Sequence, residues 1–162
     1  GKLRRSVEPV RVQRAERPQI KSLTMIDDRR QEPTSMDRTD QMDDVELIKL
    51  LRANDRFRVA AAEMELQQRG YSDTELTLGR RLNDPDPAVR LTLAEVLPRL
   101  KVDARRWLWW LSRDKDPQVR ATAATILATT RDPLVIQRLR HMELEEADDS
   151  VRRQLREILK RY

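Results

Sequence analysis

The 162-residue chain contains no cysteine, so disulfides and cysteine metal sites are excluded, and redox-relay chemistry with them. Only three glycines and six aromatic residues are present, and there are no long runs of β-branched residues. Sheets need tight turns and such strands, so their scarcity points to an all-α chain. No apolar run approaches the roughly 20 residues of a membrane span, and no signal-peptide core is visible. The missing cysteine leans towards a reducing compartment, which favours the cytoplasm. The first residue is Gly1 rather than Met, and Lys2, Arg4 and Arg5 follow, which leaves room for a signal or membrane anchor removed ahead of them.

Charge is abundant and unevenly placed. Charged residues and hydrophobic residues each make up 38% of the chain, a low ratio of core to surface that suits a repeat array better than a compact globule. Net charge is +5; residues 1–35 hold nine Lys/Arg against five acids, and the remaining residues hold 24 against 23. The basic excess therefore lies in the first segment, and the rest is nearly neutral. That weakens a nucleic-acid role for the latter.

Residues 1–42 show no sustained helical period and are interrupted by Pro9, Pro18 and Pro33. They are expected to form an extended or disordered basic arm, or an arm that lays Ile20, Leu23 and Ile26 onto a surface. Thr39 to Asp44 offers several helix-capping residues, and a domain 43–162 is expected to begin there.

From Asp43 the sequence repeats. Asn54-Asp55-Arg56-Phe57-Arg58-Val59, Asp86-Pro87-Ala88-Val89-Arg90-Leu91, Asp116-Pro117-Gln118-Val119-Arg120-Ala121 and Asp149-Ser150-Val151-Arg152 can be stacked on a shared arginine, with spacings of 32, 30 and 32. An aspartate caps free helix N–H groups, and the proline fits the first helical position. Apolar residues then recur at helical spacing: Val89, Leu93, Val96, Leu97 and Leu100 in one unit, Val119, Ala123, Ile126 and Leu127 in the next. First helices are expected over 45–51, 73–82, 103–111 and 133–142. Pro98 should bend or shorten its helix.

The Asp-Pro-x-Val-Arg pattern resembles the second helix of HEAT repeats, and the period of about 30 is similar to HEAT-like repeats of the phycobilisome-lyase type. The resemblance covers residues 44–162. It departs at Arg56-Phe57, where Pro-x-Val is expected, and at Ser150, which replaces the proline. It implies an α-α superhelix (an armadillo-like solenoid) of about four HEAT-like helix pairs with an irregular N-terminal arm. It further implies a non-catalytic scaffold that binds a protein or peptide, with no cofactor and no metal. The alternative is a nucleic-acid-binding HEAT-like protein that uses the basic arm.

Candidate residues follow from this frame. Arg58, Arg90, Arg120 and Arg152 read as a ladder reaching the turn carboxylates Asp84, Asp86, Asp116 and Asp149. The outward positions of the second helices are Ala60, Glu63 and Gln67; Thr92, Glu95 and Arg99; Thr122, Thr125 and Thr129; and Gln154, Glu157 and Arg161. Of these, Thr92, Glu95, Arg99, Thr122, Thr125 and Thr129 are the candidate partner-binding stripe, mixed and free of the basic clusters that follow phosphates. In Trp107-Leu108-Trp109-Trp110-Leu111 at least one indole is expected in the core. Trp109 points away from Leu111, either packing between first helices or serving as an exposed anchor. His141, the only histidine, sits near an expected helix end. Glu143, Glu145, Glu146, Asp148 and Asp149 read as a solvated acidic loop or a weak cation site, without the spacing of a calcium loop. No residue set reads as catalytic, and no glycine-rich phosphate loop exists.

Overall fold

The structure, a computed structural model, describes residues 35–162. The proposed anchoring residues Ile20, Leu23 and Ile26 lie outside the described residues. Two compact units divide between Met42 and Asp43. In the first, Ser35–Gln41 forms a 3-10 segment kinked at Arg38 (φ −125°, ψ 17°).

The second unit, Asp43–Tyr162, consists of helices α1 (Asp44–Leu50), α2 (Arg56–Gln68), α3 (Asp73–Leu82), α4 (Pro87–Val96), α5 (Ala104–Leu111), α6 (Pro117–Ala128), α7 (Pro133–Glu145) and α8 (Asp149–Leu159). No strand occurs among the described residues, so the chain is an all-α solenoid of helix pairs. Each pair packs internally, α1 on α2, α3 on α4, α5 on α6 and α7 on α8. Second helices α4, α6 and α8 also lie side by side.

Local chemistry starts these helices. Asp43 and Glu46 form a reciprocal capping box, the Glu46 N–H donating to Asp43 at 2.8 Å and the Asp43 N–H to Glu46 at 2.9 Å. Ser72 and Glu75 do the same for α3. Asp55, Asp86, Asp116, Asp132 and Asp148 each accept a backbone N–H from their own first turn, and proline opens α4, α6 and α7. Gly70 ends α2 at φ 95°, where a side chain would be strained, and the Tyr71 N–H closes the turn onto the Leu66 carbonyl at 3.0 Å. Pro98 acts as expected. With no N–H to donate, it ends α4 at Val96, and Leu97–Arg99 tightens into a 3-10 turn.

The capping aspartates also reset the register. They stand at 55, 86, 116 and 148, so the spacings are 31, 30 and 32 rather than those of the shared arginine. The fourth cap is Asp148, and Asp149 is the first helical residue. In the first pair, Val59 occupies the place of Arg90, Arg120 and Arg152, and Arg58 aligns with Val89, Val119 and Val151. Burial confirms this frame. Seven residues past each cap stand Ala62, Leu93, Ala123 and Leu155, and eleven past stand Leu66, Leu97, Leu127 and Leu159, all buried. Val89, Val96, Leu100 and Ile126 are only half-buried. Each fully buried leucine contributes roughly 1.5–3 kcal/mol, and the alanines let neighbouring helices approach closely.

Candidate functional site

Two kinds of surface emerge, one on the second helices and one along the turns within each pair. The turn edge is organised by arginine. Arg90 forks Asp114 of the next unit, Nε to Oδ2 at 2.7 Å and Nη2 to Oδ1 at 2.9 Å, and donates Nη1 to the Asp84 carbonyl at 2.6 Å. Arg120 repeats the arrangement one unit on, forking Glu146 at 3.1 and 2.7 Å and donating to the Asp114 carbonyl at 2.8 Å. Each acid also accepts the N–H of its capping aspartate, Asp114 from Asp116 at 2.8 Å and Glu146 from Asp148 at 3.0 Å. The ladder is therefore structural; Arg152 takes the expected Asp149, but the carboxylates that bridge units, Asp114 and Glu146, differ from those expected. Asp86 and Asp116 are helix caps, and the acids two residues before a cap do the bridging. Arg152, the last rung, pairs within its own helix with Asp149 and donates to the Glu146 carbonyl. Arg58 makes no ion pair among the described residues; Arg52, from the turn after α1, reaches Asp84 instead at 3.6 Å.

Electrostatics follow from these contacts. The Arg120 hydrogen bond holds the Glu146 carboxyl below the usual carboxylate range, outweighing burial, and the Asp148 N–H adds to it. Glu146 is 7% exposed, so the expected solvated acidic loop is in fact partly interior. Glu143 and Glu145 belong to α7, Asp148 caps α8, and no cluster of three or more potential metal ligands forms among the described residues.

A second polar knot joins α1, α5 and the turn between α2 and α3. The Tyr71 hydroxyl donates to Asp44 at 2.6 Å, Arg69 donates to the same carboxylate at 2.8 Å, and Arg106 donates to the Tyr71 oxygen at 2.6 Å. Burial pushes the Tyr71 hydroxyl pKa up, and its bond to Asp44 pushes it further. Trp107 sits edge to face with Tyr71 and with Trp110, fully buried, and its indole N–H has no hydrogen-bond partner among the described residues.

Trp107 is thus the core indole. Trp109 is half-buried rather than free, with the Arg138 guanidinium 4.8 Å from its ring centroid. It lines an open groove with Arg113, Arg138, His141, Met142 and Glu145. His141 is exposed, one turn before the end of α7, and its Nε2 lies 3.2 Å from Glu145.

On the second helices, Thr92, Glu95, Arg99, Thr125 and Thr129 are exposed and Thr122 is half-buried. Because α4 and α6 touch, the threonines and Glu95 share one layer; Arg99 lies in the 3-10 turn beyond α4. Thr125 and Thr129 donate their hydroxyls to their own helix, to Ala121 at 2.8 Å and Ile126 at 2.6 Å, leaving lone pairs and methyl groups outward. Trp109 belongs to the first helices and is not brought together with this stripe. In the first pair, the register shift puts Ala61 and Met64 where Thr92 and Glu95 stand; Glu63 is instead half-buried and paired with Arg80. Phe57 and Met64 are 64% and 60% exposed, an apolar addition that the earlier alignment missed.

A family model described as HEAT repeats matches residues 77–160. The match carries no particular likeness to the phycobilisome-lyase type. No curated protein and no solved structure matches the chain.

Proposed function

The chain belongs to the HEAT-repeat family, and from that premise we propose that it is a non-catalytic scaffold whose protein partner docks across the exposed faces of α4, α6 and α8. HEAT repeats generally serve in protein interaction, and no helix among the described residues is long and apolar enough to cross a membrane. The observation that carries the reading is the continuity of the second-helix layer. Helices α4 and α6, in contact, carry Thr92, Glu95, Thr122, Thr125 and Thr129, with Arg99 at one end, and α8 packs beside α6 to extend the layer.

The threonines on this face are short, and Thr125 and Thr129 already donate to their own helix, so that part of the surface is preformed and loses little ordering entropy on binding. On α4 and α6 the face mixes Thr and Glu, with a single Arg at its end, which suits polypeptide recognition better than a phosphate backbone. Nothing in this layer converges as a nucleophile with a base.

The test is capture from native lysate by the intact chain and by a Thr92→Tyr/Thr125→Tyr variant, which adds bulk without charge. The reading expects a partner retained at high salt by the parent chain and lost by the variant. Equal retention by both would remove α4 and α6 from the interface.

A further inference from the structure

We propose that the turn edge of the stack, centred on Trp109, Arg113 and Arg138, is a second docking surface that takes an acidic peptide. It lies on the first helices and their turns, apart from the threonine face, and does not depend on that face.

Charge pairing along this edge is lopsided. Beside the Trp109 groove, a second groove is lined by Lys49, Trp110, Arg113 and Lys115 and by the ladder residues Asp84, Arg90 and Asp114; Arg113 borders both. The carboxylates here are largely consumed. Asp114 is forked by Arg90, Glu146 by Arg120, and Asp84 is reached by Arg52. Glu145 alone lies out in the groove, beside His141. Meanwhile Lys49, Arg113, Lys115 and Arg138 meet no carboxylate among the described residues. The near-neutral net charge of residues 43–162 hides this, because acids go into caps and rungs while these cations stay free.

The chemistry of the free groups selects the occupant. Arg138 rests on the indole of Trp109, which leaves its N–H fork available, and a planar fork matches a carboxylate in two-point contact. The ladder beneath shows two arginines of this edge making that bond with acids from a neighbouring unit. Trp109 and Met142 add apolar floor for an aliphatic or aromatic side chain between the acids. A nucleic acid fits less well, because one face of Trp109 is already covered by Arg138 and is closed to base stacking. The chain's own first segment carries the same sign of charge as the grooves, so charge complementarity favours a separate acidic peptide.

The experiment uses the intact chain and fluorescence anisotropy with three labelled probes. They are a short Asp/Glu peptide carrying one Leu and one Phe, the same peptide with Lys at every acid, and a single-stranded oligonucleotide of equal charge. The acidic peptide should bind saturably, and Arg113→Gln/Arg138→Gln should weaken it about tenfold or more with an unchanged melting temperature. Trp109→Ala should weaken it several-fold, and Thr125→Tyr, aimed at the threonine face, should leave it unaltered. Arg113→Glu/Arg138→Glu should switch preference to the lysine peptide, a gain that misfolding cannot mimic. Acidic-peptide binding that is absent, or indifferent to Arg113 and Arg138, overturns the proposal. Tighter binding of the oligonucleotide with the same arginine dependence would make the edge a nucleic-acid surface instead.

Discussion

Arg90 and Asp114 stand 24 residues apart in sequence and share two hydrogen bonds of 2.7 and 2.9 Å across the boundary between consecutive helix pairs. Their side chains are only 4% and 8% exposed. A charge pair so desolvated is balanced internally, and removing one member strands the other.

Asp114→Ala is therefore expected to destabilise the stack by about 3–5 kcal/mol, measured by urea unfolding followed by circular dichroism. Arg90→Met/Asp114→Leu should cost much less than the sum of the two single substitutions. Additive losses would show that the pair is not coupled.

Acid should weaken the array through Glu146. Its folded pKa lies below the ordinary carboxylate value, so the native state binds fewer protons than the unfolded one once pH drops. The stabilisation is present above the unfolded pKa, about 4.3, and is lost as pH falls through the folded value. Unfolding free energy should be flat on this account above about pH 5 and decline below it. Glu146→Gln should shrink the slope of that decline; an unchanged slope would assign it to other carboxylates, such as Asp44.

Trp107 and Trp109 should separate by burial. Trp107 and Leu111 are 0% and 1% exposed, and Trp107→Ala or Leu111→Ala should cost about 3–5 and 2–5 kcal/mol respectively. Trp109→Ala should cost clearly less, because one side of its ring borders an open groove. A melting-temperature drop at Trp109 equal to that at Leu111 would make it a packing residue and sink its role as an anchor.

Gly79, on α3, faces the end of α1. A Cβ placed there would lie 2.9 Å from Leu51 Cδ1 and 3.2 Å from Ile48 Cγ2. Gly79→Val, adding two further methyl groups, should destabilise by about 1–3 kcal/mol despite removing a helix-interior glycine. Thermal melting of that variant beside Gly79→Ala would check it, with the valine form clearly the less stable.

Most of the helix plan was legible in the sequence because it rests on local physics. Asp86-Pro87 and Asp116-Pro117 start helices through bonds within their own first turns, and Pro98 stops one by lacking an N–H. Repetition at about 30 residues then implied stacking, since one helix pair cannot bury its apolar stripe alone. Where the arginines' partners lie was not legible in the same way. Asp114 and Glu146 are 24 and 26 residues from Arg90 and Arg120, and only packing between units brings them within reach. One signal did exist, an acid two places before each of the caps Asp86, Asp116 and Asp148.

The first pair was misaligned because Arg58 imitates the shared arginine, whereas burial of Ala62 and Leu66 depends on where Asp55 caps. Trp109 could be placed on a helix face by counting, but its cover, Arg138, comes from the neighbouring first helix. Sequence alone thus determined the helices, their caps and the repeat, all of which arise from groups a few residues apart. Tertiary structure decided which charges are neutralised and which remain free, because a carboxylate's fate depends on the cation that stacking delivers to it.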